Sequence, residues 1–406
     1  MGALNPGDTA FVLLSAALVL LMTPGLAFFY GGLVRHKNVL TIMMQSFVAM
    51  GVVTVLWILV GFSLAYSGDV GGVIGDFKLT GLQGVGMAPS HFAPTIPFLA
   101  FFLFQLMFAI ITPALISGAF ADRVSFKAYL VFLVLWSLLV YIPFVHWIWG
   151  GGFLARMGVV DFAGGIVVHL SAGMAALASI FVVGKRKLRD GESMAPHNVP
   201  FVALGAGLLW FGWFGFNGGS ALAANGVAAV AFVNTNTAAA VGMAAWLGLM
   251  AWREGKMTLS GAATGAVAGL ATVTPAAGYV PPLAAALIGL LAAVVCYFAI
   301  QFRISRNWDD ALDVWGVHGV GGATGTILTG VFAVAAINHI AGLFAGDAHQ
   351  FGVQVLAVAI AAIYAFGVTY GILKLVGWLT PVRVSAEVEA KGLDQALHGE
   401  VAYDLP

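Results

Sequence analysis

Charge is what this sequence lacks first. Only 8% of its 406 residues are Asp, Glu, Lys or Arg, against about a quarter in soluble domains. So few charges cannot cover a water-facing surface, whereas a lipid-facing surface needs none. The formal net charge of +0 supplies no basic face for nucleic acid. One cysteine, Cys296, lies in an apolar run; it excludes an internal disulfide and reads as packing. Phosphate loops, zinc-ligand spacings and nucleophile elbows are missing, which removes the usual footing of a soluble enzyme. A basic leader is missing too. Before Phe11 the only charge is Asp8, so the first apolar run reads as a retained helix with its N-terminus outside.

What is present is apolar residue in long runs, 61% of the chain. About 20 such residues cross a bilayer core. The runs predict an all-α polytopic membrane protein with eleven spans: 10–32, 40–66, 97–120, 127–149, 161–184, 199–217, 226–251, 258–275, 282–302, 314–336 and 351–378. Two runs are divided internally, one at Asn217-Gly-Gly-Ser and Asn225, the other at Thr274-Pro-Ala-Ala-Gly-Tyr-Val-Pro-Pro. An N-out, C-in topology puts all 17 Lys and Arg on the inside except Lys78 and Arg156, as the positive-inside rule requires. A missed or invented span would scramble that alternation.

Three echoes run in order between spans 1–5 and 6–10. Phe29-Tyr-Gly-Gly answers Phe216-Asn-Gly-Gly, Thr112-Pro-Ala answers Thr274-Pro-Ala, and Val168-His-x-x-x-Gly answers Val317-His-x-x-x-Gly. They predict inverted repeats of five helices, about 10–184 and 199–336, then an eleventh helix, 351–378. Residues 1–378 form the membrane domain and 379–406 a cytoplasmic tail.

Ionisable side chains inside a bilayer are costly and mark functional pathways. Seven of the nine histidines fall in loops, tails or, for His146, near an outer helix end; His169 and His318 are deep. His169 lies eight residues, roughly 12 Å of helix, below Asp161. Matching motifs place the two histidines in equivalent sites, so they should meet near the midplane. Without a third deep ligand they are too few for a closed zinc site, and no cofactor is implied. Two neutral imidazoles offer a donor and an acceptor each. An apolar lumen suits a small neutral hydrogen-bonding molecule and suits a bare cation poorly.

The topology gathers Trp149, Asp161, Phe216 and Ser220 at the outer ends of their spans. A tryptophan face attracts a cation and Ser220 supplies an acceptor. Each also has a structural reading: Trp149 as an interfacial anchor, Asp161 as a helix cap.

At these residues the chain closely resembles the Amt/Mep/Rh ammonium transporter family, on the Amt branch. The match runs from Pro24-Gly-Leu-Ala-Phe-Phe-Tyr-Gly-Gly to the tail. It includes Asp161-Phe-Ala-Gly-Gly-x-Val-Val-His169, Trp213-Phe-Gly-Phe-Asn-x-Gly-Ser220, Ala231-Phe-Val-Asn-Thr, Gly316-Val-His318-Gly and Gly392-Leu-Asp-x-x-x-His398-Gly-Glu-x-Ala-Tyr403. The resemblance implies an outer ammonium recruitment site of Trp149 and Ser220 with Phe108, a stacked gate of Phe108 and Phe216, a twin-histidine pore of His169 and His318, and Asp161 in support of binding or deprotonation. It further implies NH4+ or its analogue methylammonium as substrate, conduction as NH3 with or without separate proton transfer, and a homotrimer in the lipid of a bacterial inner membrane. The tail is expected to regulate, often through a PII-type protein at the cytoplasmic face.

Three other functions compete with transport. An ammonium sensor of the same fold would be marked by a C-terminal signalling domain, and only about 28 residues follow span 11. A gas channel of the Rh type differs at the recruitment site, where Trp149 and Ser220 are retained. A membrane enzyme needs a nucleophile or metal constellation that the sequence does not offer.

Overall fold

A computed structural model describes residues 3–187 and 192–403. Arg189, counted among the inside cations, and the last three residues of the expected tail lie outside the described residues. A helix occupies each expected span: α1 (Pro6–Leu33), α2 (His36–Tyr66), α3 (Phe98–Ile116), α4 (126–148), α5 (Gly165–Val183), α6 (Val199–Gly219), α7 (Gly226–Glu254), α8 (Leu259–Val273), α9 (Pro282–Ser305), α10 (315–332) and α11 (Ala348–Leu379). Among the described residues, nine helices are long and apolar enough to cross a membrane, all but α8 and α10. This is a multi-pass membrane protein.

The helices begin where the sequence supplies a cap. Asn5, Ser125, Asn198, Asn225, Thr258 and Asp347 each accept a first-turn N–H with the side chain, satisfying donors that have no intrahelical partner. With 15 residues, α8 spans about 22 Å, short of the ~30 Å hydrocarbon core. The chain beyond it, 274–280, is irregular but almost wholly buried in protein, a setting in which such backbone is tolerated at membrane depth. There the Asn234 amide donates to the carbonyls of Ala277 and Val280 at 2.8 and 2.7 Å.

Some boundaries differ from the sequence reading. α5 starts at Gly165, four residues later than expected, because Asp161–Gly164 forms its cap and Gly164 takes φ 119°, a left-handed conformation that favours glycine. α10 stops at Phe332, and α11 starts at Ala348.

Glycine decides which helices touch. α1 lies along α6, where a Cβ on Gly205 would stand 2.2 Å from the Phe29 nitrogen. α5 crosses α10 at Gly173 and Gly322, the glycines that end the two Val-His-x-x-x-Gly motifs. A Cβ on Gly173 would meet the Gly319 backbone at 2.1 Å, and one on Gly322 would meet the His169 Cβ at 2.9 Å.

One end of the bundle carries the C-terminal tail. There α12 (Ala386–Lys391) and the residues after it dock on the starts of α2 and α4 and on the loop before α6. Asp394 accepts hydrogen bonds from the Leu40 and Thr41 amides and the Thr41 hydroxyl. Leu393 donates to Asn38, Glu389 pairs with Arg383, and the Tyr403 hydroxyl bonds His197 at 3.0 Å.

Candidate functional site

At the end opposite the tail, a cavity opens between α3, the end of α4 and the end of α6. Phe101, Gln105, Phe108, Trp149 and Ser220 line it, and so does Phe92 from the hairpin turn between β1 (Pro89–Ser90) and β2 (Ala93–Pro97). The Trp149 ring stands 5.9 Å from Phe108 at 84°, and its indole N–H donates to the Asp161 carbonyl at 2.8 Å. It is held inside the cavity rather than at a lipid interface. The Ser220 hydroxyl donates to the Phe216 carbonyl at 2.8 Å, which leaves its oxygen lone pairs free as acceptors.

Asp161 is 4% exposed and absent from the cavity lining. Its two oxygens take four backbone N–H groups, from Gly164, Gly165, Ile166 and Val167, at 2.6–3.1 Å. A carboxylate so occupied holds a helix start and has little capacity left for a ligand. The helix it caps begins with the wide turn Gly165–Leu170, and His169 rides on that turn. The other deep histidine rides on the matching wide turn, Trp315–Gly319. Such π-type turns recur at functional sites.

Beneath the cavity the Phe108 and Phe216 rings stand 4.3 Å apart, tilted by 41° rather than stacked parallel. Both are about 1% exposed, so they close the path. Directly under them lies the His169 ring, 6.0 Å from Phe216 and 5.5 Å from Trp213. His318 follows, its ring nearly parallel at 19° and its Nδ1 3.2 Å from the Nδ1 of His169. Between two neutral rings this contact holds one proton. One imidazole donates through Nδ1 and the other accepts, so the two Nε2 atoms differ: one is bare and one carries N–H. The Nε2 of His169 has no hydrogen-bond partner among the described residues. The cavity between Phe216 and His318 is about 10 Å³, about the least that holds one water-sized molecule. Its other walls are apolar, with Met22, Leu26, Ile111 and Val168 among them and no carboxylate.

His318 and Phe29 also line a second vestibule at the tail end, together with Tyr30, Leu33 and Asp313. Cavity, ring pair, histidine pair and vestibule therefore lie in series. Asp310 stands eight residues before His318, as Asp161 stands eight before His169. It too caps its helix start, accepting from the Trp315 N–H at 2.7 Å, but its second oxygen has no hydrogen-bond partner among the described residues. Burial, with Asp313 beside it, pushes the Asp310 carboxyl up to about 6. Its chain neighbour Asp309 goes the other way: although burial raises it, the Arg186 guanidinium, bonded at 2.7 Å, holds it at about 2.

The structure brings together Phe108, Trp149, Ser220, Phe216, His169 and His318, and sets Asp161 behind them. Sequence reasoning missed Gln105, whose position one turn before Phe108 gave no signal of its own. It also missed Asp310, which the shared eight-residue spacing announces. His146, read as lying near a helix end, is fully buried, with its ring nitrogens 3.0 Å from the Ala65 carbonyl and 2.9 Å from Asp69. No group of three or more metal-ligating side chains occurs among the described residues.

Comparison with known proteins agrees across the whole chain. The sequence model of the Ammonium Transporter Family matches residues 10–403. An ammonium transporter of Bacillus subtilis is 48% identical over 401 residues, covering 98% of each chain. The ammonium transporter Amt1 of Archaeoglobus fulgidus is 44% identical, over 98% of this chain and 100% of its own. Among solved structures, Mep2 of Saccharomyces cerevisiae superposes with a TM-score of 0.88 at 34% identity, covering 95% of this chain and 88% of Mep2. A sensor Amt protein superposes at 0.89 with 30% identity, over 97% of this chain and 98% of that one.

Proposed function

The chain belongs to the Ammonium Transporter Family, and on that premise we propose that it recruits NH4+ at the outer cavity, releases one proton to the outer water above the Phe108–Phe216 pair, with or without separate transfer of that proton across the membrane, and conducts NH3 along His169 and His318. The observation that carries this is the closed ring pair over a histidine pair in a passage without carboxylates. A bare ammonium ion there would lose its hydration with no counter-charge, at a cost of several kcal/mol or more. Loss of one proton removes that cost. Neutral NH3 both donates and accepts, matching two Nε2 atoms of opposite character. Potassium, similar in size, has no proton to lose and is refused.

Roles follow from the geometry. The Trp149 face attracts the cation by roughly 0.5–2 kcal/mol, with Phe108 beside it, and Ser220 accepts one N–H. Asp161 acts as a positioning residue, since its carboxylate fixes the turn that carries His169 and its carbonyl fixes the Trp149 indole.

All eleven helices cross the membrane, N-out and C-in, as inverted repeats plus α11, in a bacterial inner membrane; the Lys and Arg distribution supports this orientation. The protein is a homotrimer with one pore in each subunit. Asn236 supports that assembly: it is exposed on the apolar helix α7, in a groove with Phe214 and Phe232, and a polar amide facing hydrocarbon is costly unless another copy covers it. The docked tail regulates flux and offers a surface to a PII-type protein. The Bacillus subtilis and Archaeoglobus fulgidus relatives are both named as ammonium transporters, which favours transport over sensing.

Solid-supported-membrane currents together with uptake of labelled methylammonium in proteoliposomes test the reading. Ammonium and methylammonium jumps should each evoke a response and potassium jumps none. Equal potassium and ammonium currents would remove the proton as the basis of selection.

A further inference from the structure

Among the residues that line the outer cavity, one polar side chain is left unused. Gln105 is 8% exposed, and its Oε1 is buried without a hydrogen-bond partner among the described residues. Buried polar atoms in native proteins are paired with few exceptions, and each exception calls for a reason. Gln105 lies on α3 one turn before Phe108 and one turn after Phe101, so all three face the same space. The last torsion of a glutamine is broad, and a turn of the amide presents its oxygen to whatever occupies the cavity.

Ammonium has four N–H donors and needs acceptors as well as aromatic faces. Ser220 offers one oxygen. The Asp161 carboxylate is filled by four backbone N–H groups, its carbonyl is taken by Trp149, and the Phe216 carbonyl is taken by Ser220. From these observations we propose that Gln105 is a specificity-determining ligand of the recruited cation, the second oxygen acceptor of the outer site in place of Asp161. The proposal rests on the ammonium reading of that site. Its chemistry suits the task. An amide oxygen is a strong acceptor without net charge, so it binds an N–H-bearing cation, does not trap it as a carboxylate would, and lets it move on to the rings below.

The test compares the parent with Gln105→Leu and Gln105→Glu, each verified as an oligomer of the parent's size. Ammonium-evoked currents and the ammonium-induced rise in melting temperature are measured at one pH. Gln105→Leu should raise the half-saturating ammonium concentration about tenfold, the low end for a hydrogen bond to a charged group, and should flatten the melting-temperature response. Gln105→Glu, nearly the same in volume, should lower half-saturation below the parent's and reduce maximal current, because a carboxylate releases the cation slowly. Parental half-saturation in Gln105→Leu overturns the proposal. So does a Gln105→Glu that weakens binding as Leu does, since volume alone would then be at work. If Gln105→Leu does not assemble, the direction of the Gln105→Glu shift decides. A parent that shows neither ammonium current nor uptake of labelled methylammonium fails the transport reading, while the melting-temperature response still judges Gln105.

Discussion

Gly173 and Gly319 meet backbone to backbone, so close that a Cβ on the first would sit 2.1 Å from the Cα of the second. This contact is why His169 and His318 reach each other, because each histidine lies within about one turn of it on its own helix.

Gly173→Ala should therefore push the two helices apart. Overpacking of this kind costs about 1–3 kcal/mol, and here the obstacle is backbone, which cannot swing aside. Gly207, on the exposed face of α6, is the control, since an added Cβ there would meet nothing within 4 Å. Thermal unfolding of the detergent-solubilised protein should show a lowered transition for Gly173→Ala and little change for Gly207→Ala. Equal transitions would mean that the crossing tolerates a methyl group and does not set the histidine spacing.

His169→Asp tests the basis of selectivity. A carboxylate beside His318 supplies the counter-charge that the passage lacks, and it stabilises a desolvated cation by pairing. Potassium jumps that are silent in the parent should evoke current in the variant at the same pH and protein-to-lipid ratio, once its assembly has been verified. A variant that remains strictly ammonium-selective shows that His169 does not set the filter.

Asp310 predicts a pH dependence of stability. Its folded value of about 6 lies above the ordinary 3.8, so folding favours the protonated acid. That favourable contribution is full below about 4 and is lost as pH rises through about 6, a difference of about 3 kcal/mol for a shift of two units. Asp310→Asn keeps an oxygen for the Trp315 N–H and cannot ionise. It should melt above the parent at pH 7, with the gap closing toward pH 4. A gap that stays constant over that range removes Asp310 as its source.

The tail hangs on Asp394, which holds two amides and a hydroxyl at the start of α2. Asp394→Ala should cost about 0.5–2 kcal/mol, as the loss of a helix cap does, and should loosen the docking. Hydrogen exchange in residues 34–41 and 386–403 should accelerate while α5 and α10 stay protected, and transport current should change. Unaltered exchange and current together would make the docking incidental to function.

The membrane class, the helix positions and the histidine pair were legible in the sequence because each is a local signal. Apolar runs of spanning length, cap residues such as Asn225 and Thr258, and the repeated Val-His-x-x-x-Gly need no knowledge of distant partners. The motif even carries its own crossing device, since each histidine comes with the glycine that lets the other helix approach. Only the tertiary structure decided how the polar atoms are used. Asp161 and Gln105 are both polar residues near the outer end, and composition favours the carboxylate as the cation's ligand. In the folded chain the turn at Gly164 aims four N–H groups at Asp161, while no donor among the described residues reaches the Gln105 oxygen. Whether an acceptor is free depends on donors brought to it by chain geometry, and hydrophobic periodicity carries no record of them.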